Sequence, residues 1–371
     1  MYFTRILVLL LASFQCSQAQ IQLPADRQAT AETIRLYNNM KKLLQKGYMF
    51  GHQDDLAYGV NWKYIAGNSD IKEVTGDYPA VYGWELGHLE LDSTKNLDGV
   101  PFDKMKQYIR DGYERGGVIT ISWHFTNALT GKSAWDAVPG TVAAILPGGA
   151  KHDLYTSWLD RLASFLQDLK ARNGKFIPVI FRPFHELNGS WFWWGKNLCT
   201  PDELKQLYRF TESYLRDKKQ VHHLLYAFNT DRFSSKEEYL ERFPGDEWVD
   251  IIGFDIYQRG KESEKFIQEM DRSLTTLEGI AKEKNKIPAL TEFGYNEVPD
   301  SMWWTGVLLK GIGYHKIAYA LGWRNAGKSA SGKYEYYVPF KGQLSATDFQ
   351  EFYKSPRTLF QQDVAKEKLY Q

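Results

Sequence analysis

Eight short apolar runs, each bounded by Gly, Pro, Asn or Asp, recur at residues 48–51, 80–84, 118–123, 176–182, 223–229, 251–257, 288–293 and 318–323. Runs of this length, rich in Val, Ile, Tyr and Phe, read as strands. Between them, residues 101–115, 155–172, 201–218, 262–284 and 302–314 are amphipathic over longer spans and read as helices. Pro101 and Pro201 stand at the starts of two of these, where a missing N–H costs nothing. Strands alternating with helices demand a parallel sheet, and eight of them match an α/β architecture, a single-domain (β/α)8 TIM barrel. A doubly wound open sheet would need a Gly-rich phosphate loop after an early strand. The early runs lead instead into FGHQDD and YGWELGH.

Residues 1–19 carry one positive charge at Arg5, an apolar run over 6–12, and a closing Ser17-Gln18-Ala19. That layout reads as a secretory signal peptide, its apolar run too short to span a bilayer. The expected organisation is a signal peptide at 1–19 and one barrel domain at 20–371, exported to the periplasm or beyond the cell. Phe14 and Gln15 stand where a lipoprotein signal wants small residues, which argues against lipid anchoring at Cys16. Without the leader, Cys199 has no intrachain partner, so the core and not disulfides must hold the fold. The chain balances 46 basic against 45 acidic residues, leaving no surplus charge for nucleic acid or an acidic membrane surface. No second apolar run approaches transmembrane length. The 12 Trp and 23 Tyr point to surfaces that stack on flat ligands with polar edges, of which sugar rings are the obvious case.

Barrel enzymes gather functional side chains just past the C-terminal strand ends. Here those positions hold polar and aromatic groups on all eight runs, from His52 and Glu85 through His124 to Asn229, Asp255 and Trp323. The densest segment is FIPVIFRPFHELNGSWFWWG, residues 176–195, in which a strand leads into Arg182, His185, Glu186 and four aromatics. Apolar surroundings raise a carboxyl pKa, as a general acid working near neutral pH requires. The plainer alternative for Glu186 is a surface carboxylate paired with Arg182. The second candidate is Glu292, in IPALTEFGYNE, with a buried ion pair to an arginine as its alternative. Two glutamates on separate strand ends fit retaining glycoside hydrolysis, whose carboxyl groups stand roughly 5–5.5 Å apart, against roughly 6.5–9.5 Å in inverting enzymes. His222 and His223 are adjacent on a strand and point to opposite faces, so they cannot share an ion. The hydrolysis needs no metal or other cofactor.

With Glu186 on the fourth run and Glu292 on the seventh, the chain resembles the large superfamily of barrel glycosidases with catalytic glutamates at those strand ends. His185 stands where most of its families have Asn, and RPFHELNGSWFWWG resembles glycoside hydrolase family 26, typified by β-1,4-mannanases. FGHQDD, SWH at 122–124, GFDIY at 253–257, TEFG at 291–294 and GWRN at 322–325 extend the resemblance over essentially all of 20–371. It implies Glu186 as acid/base and Glu292 as nucleophile. It further implies that His185 lies beneath the reacting sugar and hydrogen-bonds near the nucleophile, that Tyr257 orients Glu292, and that Trp323 floors the −1 position. Trp191 would stack near +1, His124 and Arg324 would bind glycone hydroxyls, and Asp255 would support the site. The implied substrate is a β-mannan polysaccharide or oligosaccharide, cleaved without cofactor or obligate protein partner. The competing readings are another β-glycan, such as β-1,3-xylan or mixed-linkage glucan, and a non-catalytic mannan-binding protein on the same barrel. The long connection 125–153, with Trp135 and the string TVAAIL, is expected either to lid the glycone end and favour mannobiose release or to pack as part of the barrel rim. The same choice applies to 87–100.

Overall fold

The computed structural model describes residues 21–329 and 331–371; the expected signal segment, with Cys16, lies outside the described residues. Eight parallel strands run in chain order: β1 (Tyr48–Gln53), β2 (Val81–Glu85), β3 (Val118–Ser122), β4 (Val179–Arg182), β5 (Leu224–Thr230), β6 (Ile251–Tyr257), β7 (Ile287–Gly294) and β8 (Tyr319–Gly322). β1 closes on β8 with Met49 opposite Tyr319 and His52 opposite Gly322, completing a (β/α)8 barrel. Every strand but β6, which is half-buried at Tyr257, is buried along its whole length, as a sheet covered on both faces requires. No helix among the described residues is long and apolar enough to cross a membrane.

The helices start where capping chemistry places them. Thr200 and Glu203 form a reciprocal capping box, with Pro201 at the first position, ahead of Pro201–Ser213. Pro101 precedes Phe102–Glu114, which turns Phe102, Met105, Tyr108, Ile109 and Gly112 inward at helical spacing. Three segments depart from the sequence expectation. β4 begins at Val179, because Pro178 cannot donate to a ladder. Phe176 instead forms an antiparallel bridge with Lys170 and stacks on His223, 4.8 Å between ring centres. The same fold-back ends the preceding helix at Gln167 and not at 172. The expected helix at 302–314 is a π turn, Trp304–Leu308, followed by one α turn, Leu309–Ile312.

The connection 125–153 packs as part of the rim. Asn127 Nδ2 donates to Asp136 O, Trp193 N donates to Ala134 O, and the short helix Thr141–Ile145 buries Thr141, Val142 and Ile145. The apolar string expected of a lid is spent on the barrel wall, and Trp135 is the residue of this connection that reaches the cavity at the strand ends.

Beside β1, Phe50, Trp304, Phe349, Phe352 and Phe360 form one aromatic cluster between the barrel and the helix Ala346–Tyr353, with Phe352 stacked on Phe349 at 5.7 Å and edge-on to Phe50 at 5.6 Å. Phe352→Ala should lower stability by about 3–5 kcal/mol in a urea titration followed by tryptophan fluorescence. A loss below about 1 kcal/mol would show that the cluster relaxes around the cavity.

Candidate active site

Glu292 owes its position to a bulge. Across β6 the register runs Phe254–Leu290 and then Asp255–Glu292; across β8 it runs Ala320–Leu290 and then Gly322–Phe293. Both neighbours therefore see one extra residue, Thr291, in β7. Its hydroxyl lies 3.0 Å from Phe254 O and 2.8 Å from Asp255 Oδ1. Such a bulge re-aims the following side chain, and Glu292 lines a cavity of about 290 Å³ at the barrel mouth. Its carboxylate is held from two sides: Tyr257 Oη donates to Oε2 at 2.6 Å, and Arg182 Nη2 donates to Oε1. Arg182 also donates to Asp255 Oδ2 at 3.1 Å and to Asn229 Oδ1. Four consecutive strands thus converge on one buried guanidinium.

Glu186 arrives by a different route. Pro183 ends β4, and the chain then enters a tight loop in which Phe184 and Glu186 adopt φ of 51° and 50°. For residues with a Cβ that conformation costs on the order of 1–3 kcal/mol each, and surrounding contacts must enforce it. Leu187 is buried, Trp194 Nε1 donates to His185 O at 2.8 Å, and Asn188 bridges to Arg232 O and Asp231 N. Trp191 Nε1 donates to Glu186 Oε2 at 2.6 Å. The Trp191 ring lies over Gly189, where an added Cβ would fall 2.4 Å from it. Only glycine lets that indole reach the carboxylate.

Glu186, Asp255 and Glu292 each present an oxygen within 4.8 Å of the others. One guanidinium cannot balance three carboxylates at that range, so a proton stays in the cluster. Burial first, and then the charge of Glu292, push Glu186 up to about 8. The same two causes move Asp255 upward. Glu186 is therefore protonated at neutral pH, while the carboxylate bonded to both Arg182 and Tyr257 is Glu292. An acid and an ionised carboxylate stand side by side.

The remaining candidates fall into two groups. His124, His185, Tyr257 and Trp323 line the same cavity as the two glutamates, and Trp191 joins it through Glu186. Asp255 is fully buried behind Glu292 and acts on it through Arg182. The expectation for His185 needs correction: its ring bonds His124, Nε2 to Nε2 at 3.0 Å, and not a group at the nucleophile. Arg324 also lies apart. Asp98 and Glu335 pair with it in a second cavity of about 480 Å³, lined by Tyr58, Trp62 and Lys63. Trp193 and Trp194 are core residues.

Several residues of the site were not among the candidates. Arg182 was visible, but as a partner for Glu186; its carboxylates are Glu292 and Asp255. Glu85 stood at a strand end with no signal of its contact to His124, 2.8 Å away. Phe192 was visible only as one of the four aromatics. Arg259 and Asn296 stand just past β6 and β7, where the strand-end rule applies, but no motif marked them, and Tyr337 comes from a loop that the rule does not reach.

A closed parallel barrel that carries a protonated and an ionised glutamate at the ends of its fourth and seventh strands defines the class of barrel glycoside hydrolases. The chain belongs to glycosyl hydrolase family 26, whose profile matches residues 25–303. A β-mannanase of this family from Bacteroides ovatus superposes with a TM-score of 0.88 at 44% identity, over 92% of this chain and 98% of that one. A modular endo-β-1,4-mannanase from Cellulomonas fimi gives 0.83 at 35% identity, over 92% and 78%. A mannan endo-1,4-β-mannosidase from Bifidobacterium adolescentis is 33% identical over 90% of this chain; the match spans 35% of that longer protein.

Because the acid must carry its proton, kcat/KM should fall about tenfold per pH unit above about pH 8. The Trp191 N–H favours the ionised form of Glu186, so Trp191→Phe should move this alkaline limb to higher pH and lower the maximum. A limb that stays in place in the variant would remove the indole from the control of Glu186.

Proposed function

We propose that the protein is a retaining endo-β-1,4-mannanase acting on mannan, galactomannan and mannooligosaccharides. The observation that carries the mechanism is the adjacent pair Glu186 and Glu292, within 4.8 Å and of opposite protonation. That spacing falls with the close pair of retaining enzymes, short of the roughly 6.5–9.5 Å that inverting ones use. Glu186 gives its proton to the glycosidic oxygen as the C1–O bond breaks, and a Glu292 oxygen bonds C1. Glu186, now ionised, takes a proton from water, which attacks C1 and frees Glu292. Two displacements retain the β configuration. Tyr257 and Arg182 keep the carboxylate aimed throughout, at the near-attack geometry that supplies much of an enzyme's advantage. The names of the relatives support mannan as the substrate. The packing of 125–153 on the rim favours internal cutting over mannobiose release, with Trp135 its residue at the cavity.

Incubation with mannan, xylan and mixed-linkage glucan should release reducing sugar from mannan, and proton NMR should show the β-anomer first. An initial α-anomer would overturn the mechanism, and release from xylan or glucan alone would overturn the substrate. Glu186→Ala should lower hydrolysis about 10²–10⁴-fold, the contribution typical of a general acid. Hydrolysis unchanged in that variant would remove Glu186 as the acid, and no release of sugar from any glycan by the wild type would return the protein to a mannan-binding role. We also propose export: the secreted or periplasmic protein should begin at Gln20 on N-terminal sequencing, and a lipid-modified Cys16 would contradict cleavage there.

A further inference from the structure

We propose that Glu85 is a positioning residue of the reaction. It holds His124 as an imidazolium whose Nε2–H donates to His185 Nε2, and so keeps the His185 proton on Nδ1 as a donor to a hydroxyl of the reacting sugar. The inference rests on the glycosidase reading above and adds a residue and a proton arrangement to it.

Glu85 ends β2 and is almost wholly buried. It accepts from Gly87 N at 2.6 Å, Ser122 Oγ at 2.6 Å and His124 N at 2.7 Å, and its Oε2 lies 2.8 Å from His124 Nδ1. Four donors around one carboxylate fix it as an anion, and an anion there requires a proton on His124 Nδ1. The other nitrogen of His124 faces His185, Nε2 to Nε2 at 3.0 Å. One of those two nitrogens must carry hydrogen and the other a lone pair.

Two proton counts satisfy that pair, and they differ at the cavity. With His124 cationic, His185 Nε2 accepts and its proton sits on Nδ1. With His124 neutral, His185 Nε2 must donate, and Nδ1 is a bare acceptor. Nδ1 of His185 is buried with no protein partner, on a ring that lines the cavity. The proposal gives it a sugar hydroxyl as partner, and the proton count of the pair decides which half of that hydrogen bond it offers.

The surroundings favour the cation on His124. Burial opposes its charge, but Glu85 first, then Glu292 and Asp98, raise its pKa overall. Trp135 stacks on the ring at 5.0 Å and 13°, placing an aromatic face against the charge. On His185, burial and then the charges of His124 and Arg182 hold the ring neutral. Phe192 closes on both rings, at 5.1 and 5.0 Å, and adds no charge.

Glu85→Gln keeps the shape and removes the anion. Histidine ¹⁵N NMR of the unliganded wild-type enzyme near neutral pH should show one doubly protonated ring, His124, bonded to an Nδ1–H tautomer, His185. This measurement needs no substrate, so it stands or falls apart from mannan hydrolysis. In Glu85→Gln, His124 should become neutral at that pH. The alkaline limb of kcat/KM, read on whichever β-glycan the enzyme cleaves, should move about one to three pH units lower, the effect of a lost opposite charge at this range. Two results would overturn the proposal. One is a neutral His124 in the wild type. The other is a variant whose limb stays or moves upward, the direction expected if His124 acted only through its charge on Glu186.

Discussion

The guanidinium of Arg182 is the constraint on which the rest of the site depends. It is 3% exposed and bonds groups delivered by three other strands: Asn229 from β5, Asp255 from β6 and Glu292 from β7. A buried ion pair is a poor source of stability, because desolving the charges offsets most of their attraction. What this one fixes is place. An arginine presents a planar fork that a lysine cannot imitate, so the ends of four strands are held in one register relative to a single carboxylate. The bulge at Thr291 and the hydroxyl of Tyr257 complete the hold on Glu292.

From that anchoring follows the division of labour between two chemically identical side chains. Glu292 is bonded to a cation and a phenol and keeps its negative charge. Glu186, on a strained loop beneath Trp191, has no cation of its own and lies within reach of Glu292's field. In the proposed mechanism, environment and not residue type makes one the nucleophile and the other the acid. The aromatic shell adds to the contrast, since Phe192 stacks on the buried Trp194 beside the loop that carries Glu186 and surrounds it with apolar rings.

The barrel was legible in the sequence because eight apolar runs and their helical spacers obey two simple periods, and errors arose where a proline or a fold-back interrupted them, as at Pro178. The two glutamates were legible because strand ends of a barrel share one face. What the sequence did not reveal was pairing. Arg182 lies four residues from Glu186 and 110 from Glu292, yet it bonds the latter. Register across the barrel, not distance along the chain, decides such partners. Likewise His185 meets His124, which lies at a different strand end, and Arg324, one residue beyond Trp323, turns to Asp98. Neighbours in sequence point to opposite sides, and only the three-dimensional rim shows which side is the cavity. Loop length alone gave no way to tell a lid at 125–153 from a packed rim, since the outcome turned on whether Val142 and Ile145 found the barrel wall.

The central claim, that Arg182 and Tyr257 hold Glu292 as the nucleophile, is tested most directly by trapping the covalent intermediate. The enzyme is incubated with a 2-deoxy-2-fluoro-mannosyl fluoride, digested, and its peptides sequenced by mass spectrometry. The account predicts one glycosylated peptide, with the sugar esterified to Glu292, and no adduct in Glu292→Gln. Labelling of Glu186 or Asp255, or turnover of the reagent with no adduct at all, would contradict it.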